Sequence, residues 1–187
     1  MLDSSLERKL RDLIDRQEIH DVILRYCRGV DRLDRELILS AYHPDAIDDH
    51  GLFVGGPEAF TAYFSAFHES QQSSTQHIIS NHSCELDGDT AHCETYWLFA
   101  AMSREQSALS LGGGRYIDRM ERRNGRWAIA QRKCLYDWQG VPGDYDLAPE
   151  QLKAMLGAGP ASRDRKDPSY ERPLRVDSKR ISHPPQG

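Results

Sequence analysis

The stretch Ile19-His20-Asp21-Val22-Ile23-Leu24-Arg25-Tyr26-Cys27-Arg28-Gly29-Val30-Asp31 decides how the rest of the chain is read. Ile19, Ile23 and Cys27 form one i+4 row, and Val22, Tyr26 and Val30 form the row beside it. Rows with that spacing meet on one face of a helix and bury it. Asp31 is the next member of the first row, so an acid stands where the apolar stripe ends. A carboxylate in such a place is costly unless something is paired with it. His77, in a later alternating segment, is the natural partner because its charge changes near neutral pH. An Asp–His pair in an apolar cavity moves protons by general acid–base chemistry. Taken singly, each residue also has a plainer reading: Asp31 as a helix-end acid, His77 as a hydrogen-bonded strand residue, Tyr26 as core.

Outward from this helix the pattern stays legible. Leu6, Leu10, Leu13 and Ile14 predict a helical stretch before it. Asp34 is an expected N-cap for a short helix carrying Leu37, Ile38 and Ala41. His43-Pro44-Asp45 is expected to end that helix, with a short strand at 46–49. Pro57 suits the first turn of a further helix, whose face is marked by Phe60, Tyr63, Phe64 and Phe67. Residues 75–86 then alternate, Asp87-Gly88-Asp89 supplies a turn, and 90–102 reads as the return strand. Strands at 108–122 and 126–138 follow, joined through Asn124-Gly125. Helices first and an antiparallel meander second predict an α+β fold. The expected shape is a cone-shaped α+β barrel, with N-terminal helices packed on a curved, mainly antiparallel sheet around a pocket. This domain is expected to span 1–140. Residues 141–187, dominated by Pro, Gly, Asp, Arg and Ser, read as an extended polar tail with one short helical candidate at 149–156. Gly112-Gly113-Gly114 lacks the Lys-Ser/Thr of a phosphate loop and reads as a bulge or bend.

Composition narrows the function classes. A length of 187 residues suits one domain plus a tail. A net charge of -5 with no basic stripe argues against a nucleic-acid partner. No apolar run approaches the ~20 residues that span a bilayer, and the start Met1-Leu2-Asp3-Ser4-Ser5 lacks a signal peptide's basic and apolar regions. A cytoplasmic protein with no membrane contact is expected. Cys27, Cys84, Cys93 and Cys134 show no CxxC spacing. Cys84 and Cys93 flank a turn symmetrically, and are read as free thiols packed as small apolar groups.

Three more groups bear on chemistry. Arg132 interrupts a strand face of Ala128, Ala130, Cys134, Tyr136 and Trp138. A cation buried there needs an anion, either a carboxylate in a structural pair or the substrate. His43, Asp45, Asp48, Asp49 and His50 fit no compact ligand set, and the acidic run reads as solvated, so no metal and no cofactor is expected. His82 and His92 are placed on the outer face of the hairpin.

Several motifs together resemble a known family. They are Arg25-Tyr26-Cys27-Arg28-Gly29-Val30-Asp31, Tyr42-His43-Pro44-Asp45-Ala46, Asp49-His50-Gly51, Gln76-His77-Ile78-Ile79-Ser80-Asn81 and Asp87-Gly88-Asp89-Thr90-Ala91. Gly113-Gly114-Arg115-Tyr116-Ile117-Asp118-Arg119 and Arg132-Lys133-Cys134-Leu135-Tyr136-Asp137-Trp138 continue the run. From Glu18 to Gln139 the chain is similar to the SnoaL-like branch of the nuclear-transport-factor-2 superfamily, and Asp167-Pro168-Ser169-Tyr170 also resembles this branch. Its motifs are most similar to the cofactor-free lyases of the scytalone dehydratase, bile-acid 7α-dehydratase and lindane dehydrochlorinase group. The resemblance implies that Asp31 is the dyad carboxylate, His77 the base, Arg132 an active-site arginine and Tyr26 a tyrosine that assists the leaving group. The dehydrochlorinase has a lysine where this chain has Tyr26, which speaks against halide elimination. An acid supplied by the second hairpin strand in the bile-acid enzyme has no counterpart in Phe99-Ala100-Ala101. Related bacterial members release formaldehyde from lignin-derived diaryl compounds. The lyase relatives imply a homo-oligomer, with a trimer favoured and a dimer as the alternative.

The expected mechanism follows. Asp31 orients and charges His77, His77 removes a proton, Tyr26 donates to or holds the leaving oxygen, and Arg132 stabilises the developing anion. Val22, Phe53, Phe64, Trp97 and Tyr136 are the expected pocket liners, so the expected substrate is small, flat and hydrophobic, aromatic or polycyclic. Dehydratase-type elimination and γ-formaldehyde release both fit. An isomerase using the same dyad, a non-catalytic ligand-binding module and the small subunit of a ring-hydroxylating dioxygenase remain as rival readings of the same fold.

Overall fold

A computed structural model of the chain describes residues 4–105, 108–140 and 164–166. The chain divides into two compact units, Met1–Pro142 and Gly143–Gly187. In the second unit only a short turn at 164–166 is described, so the expected polar tail and its helix at 149–156 lie outside the described residues.

In the first unit the two expected helical stretches form one helix, α1 (Ser4–Arg32). Its second half buries Ile19, Val22, Ile23, Tyr26, Cys27 and Val30, the two rows read from the sequence. Its first half leaves Leu13 and Ile14 exposed, at 64% and 56%. Asp15 is the buried exception there: its carboxylate accepts from Trp127 Nε1 at 2.9 Å and from Arg122 at 2.6 Å, which fixes the helix to the sheet. The helix stops through a Schellman arrangement. Leu33 takes a positive φ of 53°, Leu33 N donates to Val30 O, and Asp34 N donates to Gly29 O. Asp34 then caps α2 (Arg35–Ser40) by accepting from Leu37 N at 3.0 Å. Gly29 allows the two helices to touch, since a Cβ there would meet Ile38 at 2.8 Å.

The next segment departs from expectation. His43, Pro44 and Asp45 belong to a strand, β1 (Tyr42–Asp49), rather than to a helix end. Ile129 N donates to Ala41 O at the start of this strand, so the chain is drawn onto the sheet at once. A two-residue β2 (Val54–Gly55) follows, and Pro57 opens α3 (Pro57–Gln71) as expected. Phe60 and Phe64 are buried on that helix, whereas Tyr63 and Phe67 are 44% and 39% exposed. The meander is β3 (Gln72–Asp87), β4 (Thr90–Ser103), β5 (Leu109–Arg123) and β6 (Arg126–Gly140). Gly88 and both Asn124 and Gly125 take positive φ at the tight turns.

The six strands form one sheet in the order β2-β1-β6-β5-β4-β3, with β1 and β6 parallel and the remaining pairs antiparallel. His50, just past β1, and His77, on β3, line one cavity although β6, β5 and β4 stand between those strands, so the sheet curves strongly. Its two edges do not meet, and the cone is open rather than a closed barrel. A register shift between Gly113 and Gly114 provides the bend read from the glycine run. At Gly114 a Cβ would clash with Leu135 O at 1.9 Å and the Trp97 ring at 2.6 Å, so only glycine lets Trp97 lie there. A polar seam crosses the concave face, with Cys84, Cys93, Asp118, Arg132 and Asp48 as successive register partners. No helix among the described residues is long and apolar enough to cross a membrane.

Candidate active site

Asp31 occupies the last turn of α1, immediately before the Schellman stop, so its carboxylate points past the helix end. Asp31 Oδ2 accepts the backbone N–H of His77 at 2.8 Å, and Oδ1 lies 2.7 Å from His77 Nδ1. One carboxylate thus fixes both the position and the ring orientation of one histidine. The two side chains are 13% and 8% exposed. With Nδ1 engaged, Nε2 is the nitrogen on the free side of the ring, and the ring lines a small cavity of about 40 Å³. Across the β3–β4 pairing Phe99 is the register partner of His77, with ring centroids 4.7 Å apart.

Tyr26, Phe64, His77, Trp97, Phe99 and Tyr136 are among the cavity's lining residues. Three of the five expected liners, Phe64, Trp97 and Tyr136, are therefore in place. Val22 and Phe53 are not. Val22 lies one turn earlier on α1, beyond the cavity's end, and borders a surface groove with Trp127. Phe53 stacks on Tyr63 at 5.3 Å instead. A second, wider hollow shares Phe64, His68, Phe99 and Tyr136 with the cavity and opens beside Gly112 and Gly140.

Burial pushes the Tyr26 phenol well above its ordinary range, against the opposing pull of Arg132. Tyr26 is therefore a neutral hydroxyl, able to donate. Arg132 is fully buried beneath it. Its Nε and Nη2 each donate to Asp118 at 2.7 Å. The guanidinium is sandwiched between the rings of Tyr26 and Tyr116, at 4.3 and 4.1 Å from their centroids. Of the two expected arrangements for this cation, the carboxylate pair is the one found. Arg132 does not line the cavity, because the two tyrosine rings that do line it cover the guanidinium. Burial opposes its charge, but Asp118 and the neighbouring groups outweigh that and hold it firmly protonated.

The structure adds a pair that the sequence reading missed. Ala46, Asp48 and His50 alternate inward, at 1%, 0% and 6% exposure, while Ile47 points out. Asp48 Oδ1 lies 2.8 Å from His50 Nδ1, and Tyr42 Oη donates to Asp48 Oδ2 at 2.5 Å. His50 lines the same cavity, against Phe60 and Phe64 at 5.0 Å each. Period-two alternation was the available signal, masked by the acidic composition around it. His68 on α3 is also buried at the cavity wall, 2.5 Å from Gln72 Oε1 through Nδ1. Its ring stands 6.3 Å from that of His77.

Outside the cavity, other described histidines and acids have partners of their own. His43 Nε2 meets Glu121 O at 2.8 Å, and Asp45 pairs with Arg123. His82 does not point outward as expected. A register shift between Ile79 and His82 reverses the alternation, so His82 Nδ1 lies 2.8 Å from the buried Thr95 Oγ1 and its ring meets His20 of α1. His92 is exposed. Among the described residues, one group has metal-ligand spacing. His82, Cys84 and Cys93 place their donor atoms within 4.8 Å of one another, a soft set of one imidazole and two thiols outside the cavity lining. Cys84 and Cys93 face each other across the hairpin as free thiols.

Comparison with known proteins agrees with this architecture. A family model described as the SnoaL-like domain matches residues 11–133. No curated protein sequence matches. A hexachlorocyclohexane dehydrochlorinase, LinA type 2, superposes with a TM-score of 0.69 at 22% identity, covering 75% of this chain and 97% of its own. A Novosphingobium aromaticivorans DSM 12444 protein, provisionally assigned as a scytalone dehydratase, gives 0.64 at 16% identity over 73% and 91% of the two chains. A cystatin-like-fold protein of unknown function from Nostoc punctiforme PCC 73102 gives 0.58 at 23% identity, over 66% and 92%. At these identities the likeness is one of fold.

Proposed function

This chain belongs to the SnoaL-like domain family, and on that footing we propose that it is a lyase whose own side chains move the protons. The substrate is a small hydrophobic aromatic or polycyclic molecule, and the reaction is a dehydratase-type elimination or the release of formaldehyde. The observation that carries this reading is the double hold of Asp31 on the His77 backbone and ring at the wall of an aromatic cavity. A histidine fixed in one orientation, with a carboxylate behind it, is equipped to accept a proton on Nε2 and to be stabilised once charged. Tyr26, kept neutral by burial, donates to the oxygen that leaves.

Arg132 takes a different part from the one the resemblance implies. Its charge is already matched by Asp118, so it positions the rings of Tyr26 and Tyr116 rather than binding the substrate anion.

The test is a screen of hydroxylated polycyclic and diaryl compounds with purified protein, read by mass spectrometry. Loss of water or formaldehyde from one of them supports the proposal. An isobaric product would assign an isomerase, and saturable binding with no product would assign a ligand-binding module.

A further inference from the structure

We infer that His50, held by Asp48, is a second acid–base group of the cavity, and that the cavity takes flat aromatic ligands carrying two oxygen functions at separate ends. This rests in part on the lyase reading and deepens it. The topology makes the case. His50 follows β1 and His77 lies on β3, and the strands β6, β5 and β4 stand between them in the sheet. Both nonetheless line one cavity. The two imidazoles therefore occupy different walls, brought together only by the curl of the sheet.

The two pairs share one chemistry. Each imidazole gives Nδ1 to a carboxylate oxygen, at 2.8 Å for His50 and 2.7 Å for His77. Each keeps Nε2 for the opposite side of the ring. Asp48 is fully buried and takes a second donor from Tyr42. In the inferred role His50 enters the step as the imidazolium, its Nδ1–H donated to Asp48 and its Nε2–H left to give. The surroundings are aromatic rings set tilted or edge-on, Phe60, Phe64 and Tyr116 around His50 and Phe99 and His68 around His77. Such walls accept a flat aromatic body, and the two imidazoles accept its polar ends.

In an elimination the steps balance as follows. His77 Nε2 takes a proton from the substrate carbon, and the C–H electron pair becomes the new π bond. The C–O bond breaks with its pair going to oxygen. Tyr26 holds that oxygen by a hydrogen bond and keeps its own proton, His50 Nε2–H transfers its proton to it, and water leaves. His77 ends protonated and His50 neutral, and solvent at the cavity mouth restores both.

Binding tests this without any need for turnover. The probes are 2-naphthol, with one hydroxyl, and 2,6-dihydroxynaphthalene, with one at each end, titrated by fluorescence against the full chain. The wild type should bind the diol about tenfold more tightly, the worth of one hydrogen bond of about 1.4 kcal/mol. His50→Gln should bring the diol down to the affinity of 2-naphthol. Protein labelled with 15N-histidine guards against a variant that fails to fold: in the wild type the diol should shift two imidazoles and 2-naphthol one. Equal affinities, no saturable binding of either probe, or an increment that survives in His50→Gln would overturn the assignment. If the increment behaves as stated but no elimination is found in the screen, the lyase reading falls and the role of His50 in binding stands. If elimination is found and His50→Gln retains it together with the increment, the assignment falls alone.

Discussion

Two carboxylate–imidazole pairs face one cavity, and they are anchored differently. Asp31 and His77 are 46 residues apart in the chain and join a helix end to an edge strand, with side chains still 13% and 8% exposed. Asp48 near the end of β1 and His50 just past it are two residues apart, at 0% and 7% side-chain exposure. Asp48 is also a register partner of Arg132, which is paired with Asp118 in the fully buried seam. The first pair is peripheral to the core and can be altered without disturbing it. The second is continuous with the core's charge network. Substitutions at His77 should therefore act on rate, and substitutions of the seam's buried charges, Asp118 above all, should act on folding.

The largest effect expected is on rate. His77→Ala should lower kcat/KM by about 10²–10⁴, measured on whichever compound the screen identifies. The melting temperature should change little, because the ring is at the cavity wall and Asp31 keeps the backbone N–H of residue 77. A variant that keeps its activity would sink the role given to His77.

Next comes the seam. Asp118→Asn leaves a fully buried guanidinium without its matching charge. Removing one partner of such a pair costs about 3–5 kcal/mol, or a fall in melting temperature of roughly 10 °C for a chain of this size. Asp31→Asn, by contrast, should leave the melting temperature nearly unchanged while lowering turnover. Equal stability losses at the two positions would erase the distinction between peripheral and core-embedded acids.

The same contrast governs what could be read beforehand. The helical rows of α1, the Asp34 cap, Pro57 and the two tight turns of the meander at 87–89 and 124–125 are local signals, and local propensity was enough to place them. Asp31–His77 was legible because an acid ending an apolar stripe is locally out of place. Asp48–His50 was not, because an acid beside Asp45 and Asp49 looks solvated until β6 pairs with β1 and buries one side of the strand. The strand at 42–45 was misread for the same reason, since a parallel pairing made across the whole fold leaves no mark in the sequence around it. Arg132 was recognised as buried, but which anion meets it depends on the register between β5 and β6. His82 was misplaced by one register shift, which reverses every side chain beyond it.

Alkaline pH probes the aromatic layer over the seam. Burial holds the phenols of Tyr26, Tyr42 and Tyr116 well above their ordinary value. In the unfolded chain they titrate near 10. Groups raised in this way contribute stability that is fully present below about pH 10 and is lost as pH climbs from there toward the folded values. Denaturant unfolding at successive pH values should show the tyrosine-linked loss of stability above about pH 10. Tyrosinate absorbance from the buried three should appear together with unfolding and not before it. Early titration of all the tyrosines in the folded protein would show the layer to be open to water.

The smallest effect is expected at the surface pairs, and its sign is opposite in pH. Arg115 beside Asp137, and Arg123 beside Asp45, hold those carboxyls below their usual range. Groups lowered in this way contribute stability above the unfolded carboxylate value of about 3.9 and lose it as pH falls through the folded one. Both sites are exposed and screened by salt, so each contributes little. Asp137→Asn at neutral pH should move the melting temperature by no more than the scatter between repeat melts, and added salt should shrink even that. A loss comparable to that of Asp118→Asn would mean that the outer pairs carry load with the seam, and that burial is not what separates the acids that fold this chain from those that merely decorate it.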